Sequence, residues 1–255
     1  MYLGAQTYTI RTYTQNECDF GRSMELIAKM GYKVVQISGI GAISAKKVRE
    51  ICDDNGLKIA LTHTDKDKLL YQKEAVLEDH ITMDCPYIGI GMMPDRYMTE
   101  CWIDRFADDY GPSAEYFAKH GKKLMYHNHN NEWTKMSNGK RYIERLTEIM
   151  PSELMGITLD TYWVQAAGAD PMEWIEKLQD RLDCVHLKDM SVNYREQRMA
   201  AIGDGNMPFD RIIPLLKKLG KTEYALVEQD NCNGESPFAC LKRSYDYCAP
   251  LFAEK

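Results

Sequence analysis

The chain has 255 residues, 44% of them apolar and 27% charged. This excludes a disordered or fibrous protein and supplies enough apolar surface for a full core. The formal charge is −6 and no Lys/Arg run exceeds two residues, so a phosphate-backbone partner would lack its usual basic face. No apolar stretch approaches the roughly 20 residues of a membrane span.

Met1 to Arg11 lacks the charged-then-apolar pattern of a secretory signal and reads directly as a strand. Strand 1 is expected from Leu3 to Ile10, and helix 1 from about Gly21 to Met30, stopped by Gly31. Val34 to Ile37 gives strand 2. Ser44 caps helix 2, which runs to the stop signal Asn55-Gly56. Lys58 to Thr62 is strand 3, ending at His63, and Asp65 to about Cys85 reads as one helix. Tyr87 to Met92 is strand 4. Trp102 to His120 is a long amphipathic helix in which Gly111 and Pro112 mark a kink. Lys123 to His127 is strand 5, Arg141 to Met150 a helix, and Gly156 to Asp160 strand 6. Asp170-Pro171 opens the next helix, with Pro where its missing N–H is harmless. Val185 to Asp189 forms strand 7, followed by a long loop from Met190 to Met207. Phe209 to Leu219 is a helix, Tyr224 to Glu228 strand 8, and Pro237 to Leu251 the last helix.

Eight short apolar strands alternating with eight longer helices indicate a parallel sheet covered on both faces, and eight such units in about 250 residues match a single (β/α)₈ barrel, a TIM barrel spanning 1–255. An open doubly wound sheet would want a glycine-rich turn after strand 1, where Thr9-Ile10-Arg11-Thr12 has none. The eight cysteines include no C-x-x-C pair, and Cys52, Cys85, Cys184 and Cys248 sit in apolar runs. They read as reduced core thiols of a cytoplasmic protein.

Strand ends of a barrel share one face, where such folds keep their active sites. His127, Asp160, His186 and Glu228 end strands 5 to 8, which are neighbours around one side. Two imidazoles and two carboxylates suit one divalent metal, Zn²⁺ or Mn²⁺, and such a site also admits Mg²⁺. Singly, each has a plainer reading: a strand-end carboxylate often caps the next helix, and a lone His is often a hydrogen-bonded rim residue. Four adjacent strands ending in ligand types favour the metal. His129 and Glu132 follow in H-N-H-N-N-E-W as metal ligands, supports for ligands or a general base, against the alternative of loop residues satisfied by water. Lys188, two past His186, points to the same centre. There it either donates to a developing oxyanion or forms a salt bridge with Asp160, Glu228 or Asp189. Gln6, Gln36, His63, Trp163 and Gln165 could line a polyol pocket, although Trp163 is read nearly as well as simple packing.

The motifs G-A-Q-T-Y-T-I-R (Gly4 to Arg11), Y-H-N-H-N-N-E-W (Tyr126 to Trp133), L-D-T-Y-W-V-Q-A-A-G-A-D-P (Leu159 to Pro171), V-H-L-K-D (Val185 to Asp189), I-G-D-G (Ile202 to Gly205) and V-E-Q-D (Val227 to Asp230) cover nearly the whole chain. On them the chain resembles the sugar phosphate isomerase/epimerase group of the xylose isomerase-like barrels, the superfamily that also contains endonuclease IV-type enzymes. The resemblance implies one divalent metal held by a Glu, an Asp, a His and a second Glu at the ends of strands 5 to 8. Asp160, His186 and Glu228 occupy three of those positions. His127 stands where many relatives have Glu, one of the two glutamates that also serve as the acid/base pair in the family's epimerases. Either an imidazole serves as ligand and base here, or Glu132 or His129 substitutes, or the reaction differs.

The expected chemistry is proton abstraction next to the carbonyl of a keto-sugar, with Glu228 or His129 moving the proton. Its outcome is epimerisation, isomerisation or, on loss of a β-substituent, the reaction of a lyase or dehydratase on a keto-sugar or 3-keto-glycoside. A sugar-binding barrel without catalysis is the non-enzyme alternative. A phosphodiesterase acting on abasic DNA would need more His and Glu ligands and a basic groove. The partner expected is thus a small-molecule sugar, not nucleic acid or a membrane. Without an Arg/Lys cluster to clamp phosphate, an unphosphorylated sugar is favoured. Association into a homo-oligomer is left open.

Overall fold

The computed structural model describes residues 1–253. Eight parallel strands close on themselves: β1 (Tyr2–Gln6), β2 (Val34–Ile37), β3 (Lys58–His63), β4 (Tyr87–Ile90), β5 (Lys123–His127), β6 (Met155–Asp160), β7 (Cys184–Leu187) and the last barrel strand, which is β10 because a hairpin of β8 (Asp189–Asn193) and β9 (Glu196–Ala200) precedes it; β10 is Tyr224–Val227. The order around the barrel is β1-β10-β7-β6-β5-β4-β3-β2, so the (β/α)₈ expectation holds and the open sheet is excluded.

Strand alternation sorts each strand into two faces. One face packs outward under the helices in the larger core cluster, with Ala5, Val35, Ile59, Leu124, Ile157, Val185 and Val227 among its members. The other fills the barrel interior with Val34, Leu61, Met125, Cys184, Tyr224 and Leu226. Two residues beyond an interior position, that same face reaches the mouth of the barrel and changes character. Val34 is followed by Gln36, Leu61 by His63, Met125 by His127, Cys184 by His186 and Leu226 by Glu228. The interior is thus dry in its body and polar at one rim.

The helices are α1 (Glu17–Met30), α2 (Ala45–Asp54), α3 (Lys66–Tyr71), α4 (Lys73–Thr82), α5 (Arg105–Lys119), α6 (Tyr142–Ile149), α7 (Thr161–Ala166), α8 (Pro171–Lys177), α9 (Phe209–Leu219) and α10 (Pro237–Phe252). Five expectations are corrected. Strand 1 stops at Gln6, whose side chain accepts from Tyr8 N–H and starts a 3₁₀ segment over Thr7–Tyr13. The helix expected from Asp65 to Cys85 breaks at Gln72 (φ −138°, ψ 35°). The Ser113 hydroxyl on α5 donates to the Leu69 carbonyl at 2.6 Å, the group a continuous helix would offer to Lys73 N–H. An unexpected helix, α7, follows β6 directly, its first turn capped by Asp160, whose side chain accepts from Trp163 N–H. The loop from Met190 to Met207 contains the β8–β9 hairpin. Its turn, Tyr194-Arg195, lacks the Asn-Gly or Asp-Gly signal, and Tyr194 itself takes the left-handed conformation (φ 58°). Pro112, expected to kink its helix, lies within α5, which continues through it.

No helix among the described residues is long and apolar enough to cross a membrane. All eight cysteines are free, with Cys52, Cys85, Cys184 and Cys248 buried as expected.

Candidate metal centre

His127 closes β5, Asp160 closes β6, His186 lies on β7 and Glu228 follows β10, and these four strands are consecutive neighbours in the barrel. The register sets Asp160 beside His186 and His186 beside Leu226, two residues before Glu228. One donor atom from each of the four residues lies within 4.8 Å of every other, and all four residues are buried.

The hydrogen bonds behind the ligands decide what the cluster can hold. His127 Nδ1 lies 2.9 Å from the Gly91 carbonyl, an obligate acceptor, so Nδ1 carries the proton. In the neutral ring Nε2 is then bare, yet it faces Asp160 Oδ2 at 3.3 Å, another acceptor. His186 repeats the arrangement with its nitrogens exchanged: Nε2–H donates to Gln36 Oε1 at 2.7 Å. Its Nδ1 is buried without a hydrogen-bond partner, 3.0 Å from Glu228 Oε2 and 3.8 Å from Asp160 Oδ2. Imidazole nitrogens and carboxylate oxygens facing one another at these distances can hold a cation among them, and a donor set of two imidazoles and two carboxylates fits a divalent metal. A glycine makes the packing feasible: a Cβ on Gly91 would stand 3.0 Å from the His63 ring.

The field agrees with this fit. Lys188 Nζ lies 3.5 Å from Asp160 Oδ2, 3.3 Å from Glu228 Oε2 and 2.6 Å from Asp230 Oδ2. Three carboxylates against one ammonium leave two negative charges uncompensated when both imidazoles are neutral. Burial would raise the Asp160 and Glu228 carboxyls, but Lys188 and the two imidazoles more than offset it and hold both below the usual carboxylate range. Burial opposes a charge on His186, yet Glu228 and Asp160 outweigh it and lift the ring to about 9. Burial also works against Lys188, and the same carboxylates overcome it and raise its pKa.

A cavity of about 240 Å³ opens onto this group, lined by Tyr8, Ser38, His63, His129 and Lys188 with Glu228 and Asp230. His129 is driven down to about 3 by burial and by His127 beside it, and its Nδ1 is buried with no partner. Its ring lies 5.1 Å from that of Trp163, which also faces Lys188 Nζ at 5.2 Å. His63 reaches the cavity wall, with Nδ1 on the Ser38 hydroxyl at 3.1 Å.

The other residues expected at the site lie elsewhere. Gln36 stands behind His186, and Gln6 is buried where it caps the Thr7–Tyr13 segment. Glu132 is fully buried and both its oxygens are engaged, Oε1 by the Tyr126 hydroxyl and Oε2 by His129 N–H at 2.9 Å. Gln165 is exposed in a separate surface depression with Asp170, Pro171 and Arg211. Asp189, one of the partners considered for Lys188, instead accepts from the backbone N–H groups of Met190, Gly203, Gly205 and Met207. Two contributors were not singled out from the sequence. Asn128 Oδ1 accepts from Asp160 N–H at 2.9 Å and fixes the strand end. Asp230 is the other, and a signal for it existed: it stands two residues past Glu228, as Lys188 stands two past His186.

A model of the xylose isomerase-like TIM barrel family matches residues 24–243. The chain belongs to that family. It is 24% identical over 253 residues to an inosose dehydratase of Geobacillus kaustophilus, covering 83% of this chain and 78% of that protein. Its fold is similar to a sugar phosphate isomerase/epimerase of Parabacteroides distasonis (TM-score 0.81, 22% identity, 99% of this chain and 96% of that one). It is also similar to the IOLI protein solved with a bound zinc atom (TM-score 0.74, 13% identity, 98% of each chain).

Proposed function

We propose that this member of the family is a divalent-metal-dependent sugar isomerase or epimerase that begins by removing the proton next to the carbonyl of a keto-sugar. The observation that carries the reading is the convergence of one nitrogen each from His127 and His186 on the Asp160 and Glu228 carboxylates, with each ring held at its other nitrogen by an acceptor. Bound by His127, Asp160, His186 and Glu228, the metal supplies Lewis-acid polarisation of a carbonyl; Mn²⁺, Zn²⁺ and Mg²⁺ are the candidates, and the zinc of the IOLI structure supports this choice of cation.

The chain's own residues do the rest. His129 lies on the cavity and its Nδ1 lacks a partner, so by position it is the group that takes the proton. Glu228 is less free for that task, since Lys188 and His186 already engage its carboxylate. Lys188 offers a fixed positive charge to the oxygen that becomes anionic. His63 lines the pocket, and Trp163, lying beside the lining residues His129 and Lys188, offers a flat face to the apolar side of a sugar ring. Gln36 and Glu132 act from behind, Gln36 fixing the His186 tautomer and Glu132 holding the backbone of His129. The cavity falls below the roughly 300 Å³ at which drug-sized ligand pockets begin, which suits one sugar unit. Among the described residues Lys188 is the one lysine or arginine lining it, and it already lies against three carboxylates, which favours an unphosphorylated substrate.

Return of the proton to the opposite face gives epimerisation, and to the neighbouring carbon isomerisation. A second reading, dehydration by loss of a β-hydroxyl from the same intermediate, is favoured by the similarity to an inosose dehydratase. The test is incubation of metal-loaded protein with a panel of ketoses, inososes and 3-keto-sugars in D₂O. Deuterium should enter at the carbon next to the carbonyl, with or without loss of water, and His129→Ala should abolish it. Saturable sugar binding with no exchange on any of them would instead mark a binding barrel.

A further inference from the structure

Lys188 occupies an awkward place in a site built for a dication. The two oxygens it approaches, Asp160 Oδ2 and Glu228 Oε2, are those turned toward the bare imidazole nitrogens. An ammonium sharing both oxygens with a divalent ion would be repelled at a separation of a few ångströms, where like charges in a buried setting are costly. Its shortest contact, however, lies outside the ligand group: Asp230 Oδ2 at 2.6 Å. Asp230 is partly exposed at the cavity rim. Its backbone is held by the Arg11 guanidinium, which donates to the Asp230 carbonyl at 3.1 Å. On the same side the Trp163 and Tyr162 rings face Nζ at 5.2 and 6.0 Å, and aromatic faces attract an ammonium. Lys188 is therefore held at once by the two ligand-group oxygens and, outside that group, by one carboxylate and two aromatic faces.

We propose that Asp230 is a positioning residue that draws the Lys188 ammonium off Asp160 and Glu228, so that the Lys188–Asp230 pair sets the affinity of the site for a divalent cation and leaves the ammonium at the cavity wall. The inference rests on the metal reading above and deepens it. In the metal-free protein Lys188 is the counter-cation that keeps two close carboxylates together. In the loaded protein Asp230 retains it, so the metal does not have to expel it into solvent. Without the Asp230 charge, the ammonium would fall back on the two ligand carboxylates and compete with the metal.

Direct titration with Mn²⁺ and Zn²⁺ by competition with a chromogenic chelator tests this without any substrate. Asp230→Asn should weaken binding about tenfold or more, and Lys188→Met should tighten it by a similar factor, as expected for one charge at close range in a buried site. A bare loss of attraction between Asp230 and the metal would also weaken binding, so the double variant decides. Acting through Lys188, Asp230→Asn should change the affinity of the Lys188→Met protein by less than about threefold, because independent effects would instead add. Lys188→Gln repeats the test should the methionine variant fold poorly, and Asp230→Glu should restore most of the affinity. Equal weakening in both backgrounds, or unchanged or tighter binding by Asp230→Asn alone, would overturn the proposal while leaving the metal reading intact. Failure of the unaltered protein to bind either ion would instead remove the metal reading itself.

Discussion

At the scale of single residues, the site depends as much on what stands behind the four metal-capable residues as on those residues. Gln36 touches none of the facing donor atoms, yet its Oε1 is the acceptor that keeps a proton on His186 Nε2 and turns Nδ1 toward the Glu228 and Asp160 carboxylates. Replacing it by Leu removes that acceptor within a fully buried position. The ring is then free to turn or to move its proton to Nδ1, where it blocks the metal. Loss of such a supporting hydrogen bond commonly costs about 10- to 100-fold in metal affinity. Gln36→Leu should show that loss in a chelator competition with an unchanged circular dichroism spectrum; unchanged affinity would mean that packing alone orients His186. That His127, Asp160, His186 and Glu228 converge was legible in the sequence because a strand end is also a position in space once the barrel is accepted. Gln36 was legible only as a polar residue at the right rim. Which partner it takes across the barrel, on β7, is fixed by side-chain reach, which a linear pattern does not contain.

At the scale of elements, two buried polar arrangements hold secondary structure to the barrel. Asp189, wholly buried just after β7, accepts from the N–H groups of Met190, Gly203, Gly205 and Met207 at 2.7 to 3.2 Å, gathering the β8–β9 hairpin and the I-G-D-G turn around one carboxylate. Asp189→Ala would leave those donors unsatisfied in a buried place and should destabilise the fold by about 3 kcal/mol. Gly205→Ala should act in the same direction, since its Cβ would fall 2.3 Å from Asp189 Oδ1. Urea unfolding of both variants checks this; midpoints within experimental error of the parent would exclude a structural role for the clamp. In the sequence Asp189 stood beside His186 and Lys188 and invited a share in their chemistry. Its side chain turns the other way, as alternation from Lys188 would have indicated.

The second arrangement is His80 on α4, which joins that helix to β3 by Nε2 on the Thr62 hydroxyl at 2.8 Å and caps the Val76 carbonyl through Nδ1 at 2.7 Å. Burial pushes its pKa from 6.5 down to about 4. Because the folded value lies below the unfolded one, His80 leaves stability intact above about pH 6.5. Stability is lost progressively as the pH falls toward 4, by about 3 kcal/mol for a shift of this size. Urea midpoints measured at pH 7, 5.5 and 4.5 should decline more steeply for the parent than for His80→Gln. Parallel declines would assign acid sensitivity to other groups. The break that separates α3 from α4 was not legible at all: no Gly or Pro marks Gln72, and the cause is a hydroxyl arriving from α5, more than forty residues away.

At the scale of the whole molecule, the barrel was readable because eight apolar strands in alternation with helices leave few closed arrangements, and because both faces of each strand are used. The same closure gathers the four metal-capable residues from four strands, so a cation bound there would be coupled to global stability. A cation bound by the folded chain ties β5, β6, β7 and β10 across their ends, whereas the unfolded chain separates His127 from Glu228 by a hundred residues of sequence. A metal bound only by the native state, at about 100 times its dissociation constant, adds about 2.7 kcal/mol. For a domain of this size that corresponds to a rise in Tm of about 5–10 °C. Thermal unfolding of protein stripped with EDTA and then reloaded with Mn²⁺ or Zn²⁺ should show this rise, and Asp160→Asn should reduce it sharply while keeping the barrel. A shift of the same size in the Asp160→Asn protein would place the cation elsewhere on the molecule, because the Asp160 carboxylate faces both imidazoles and no neutral amide can replace its charge among them.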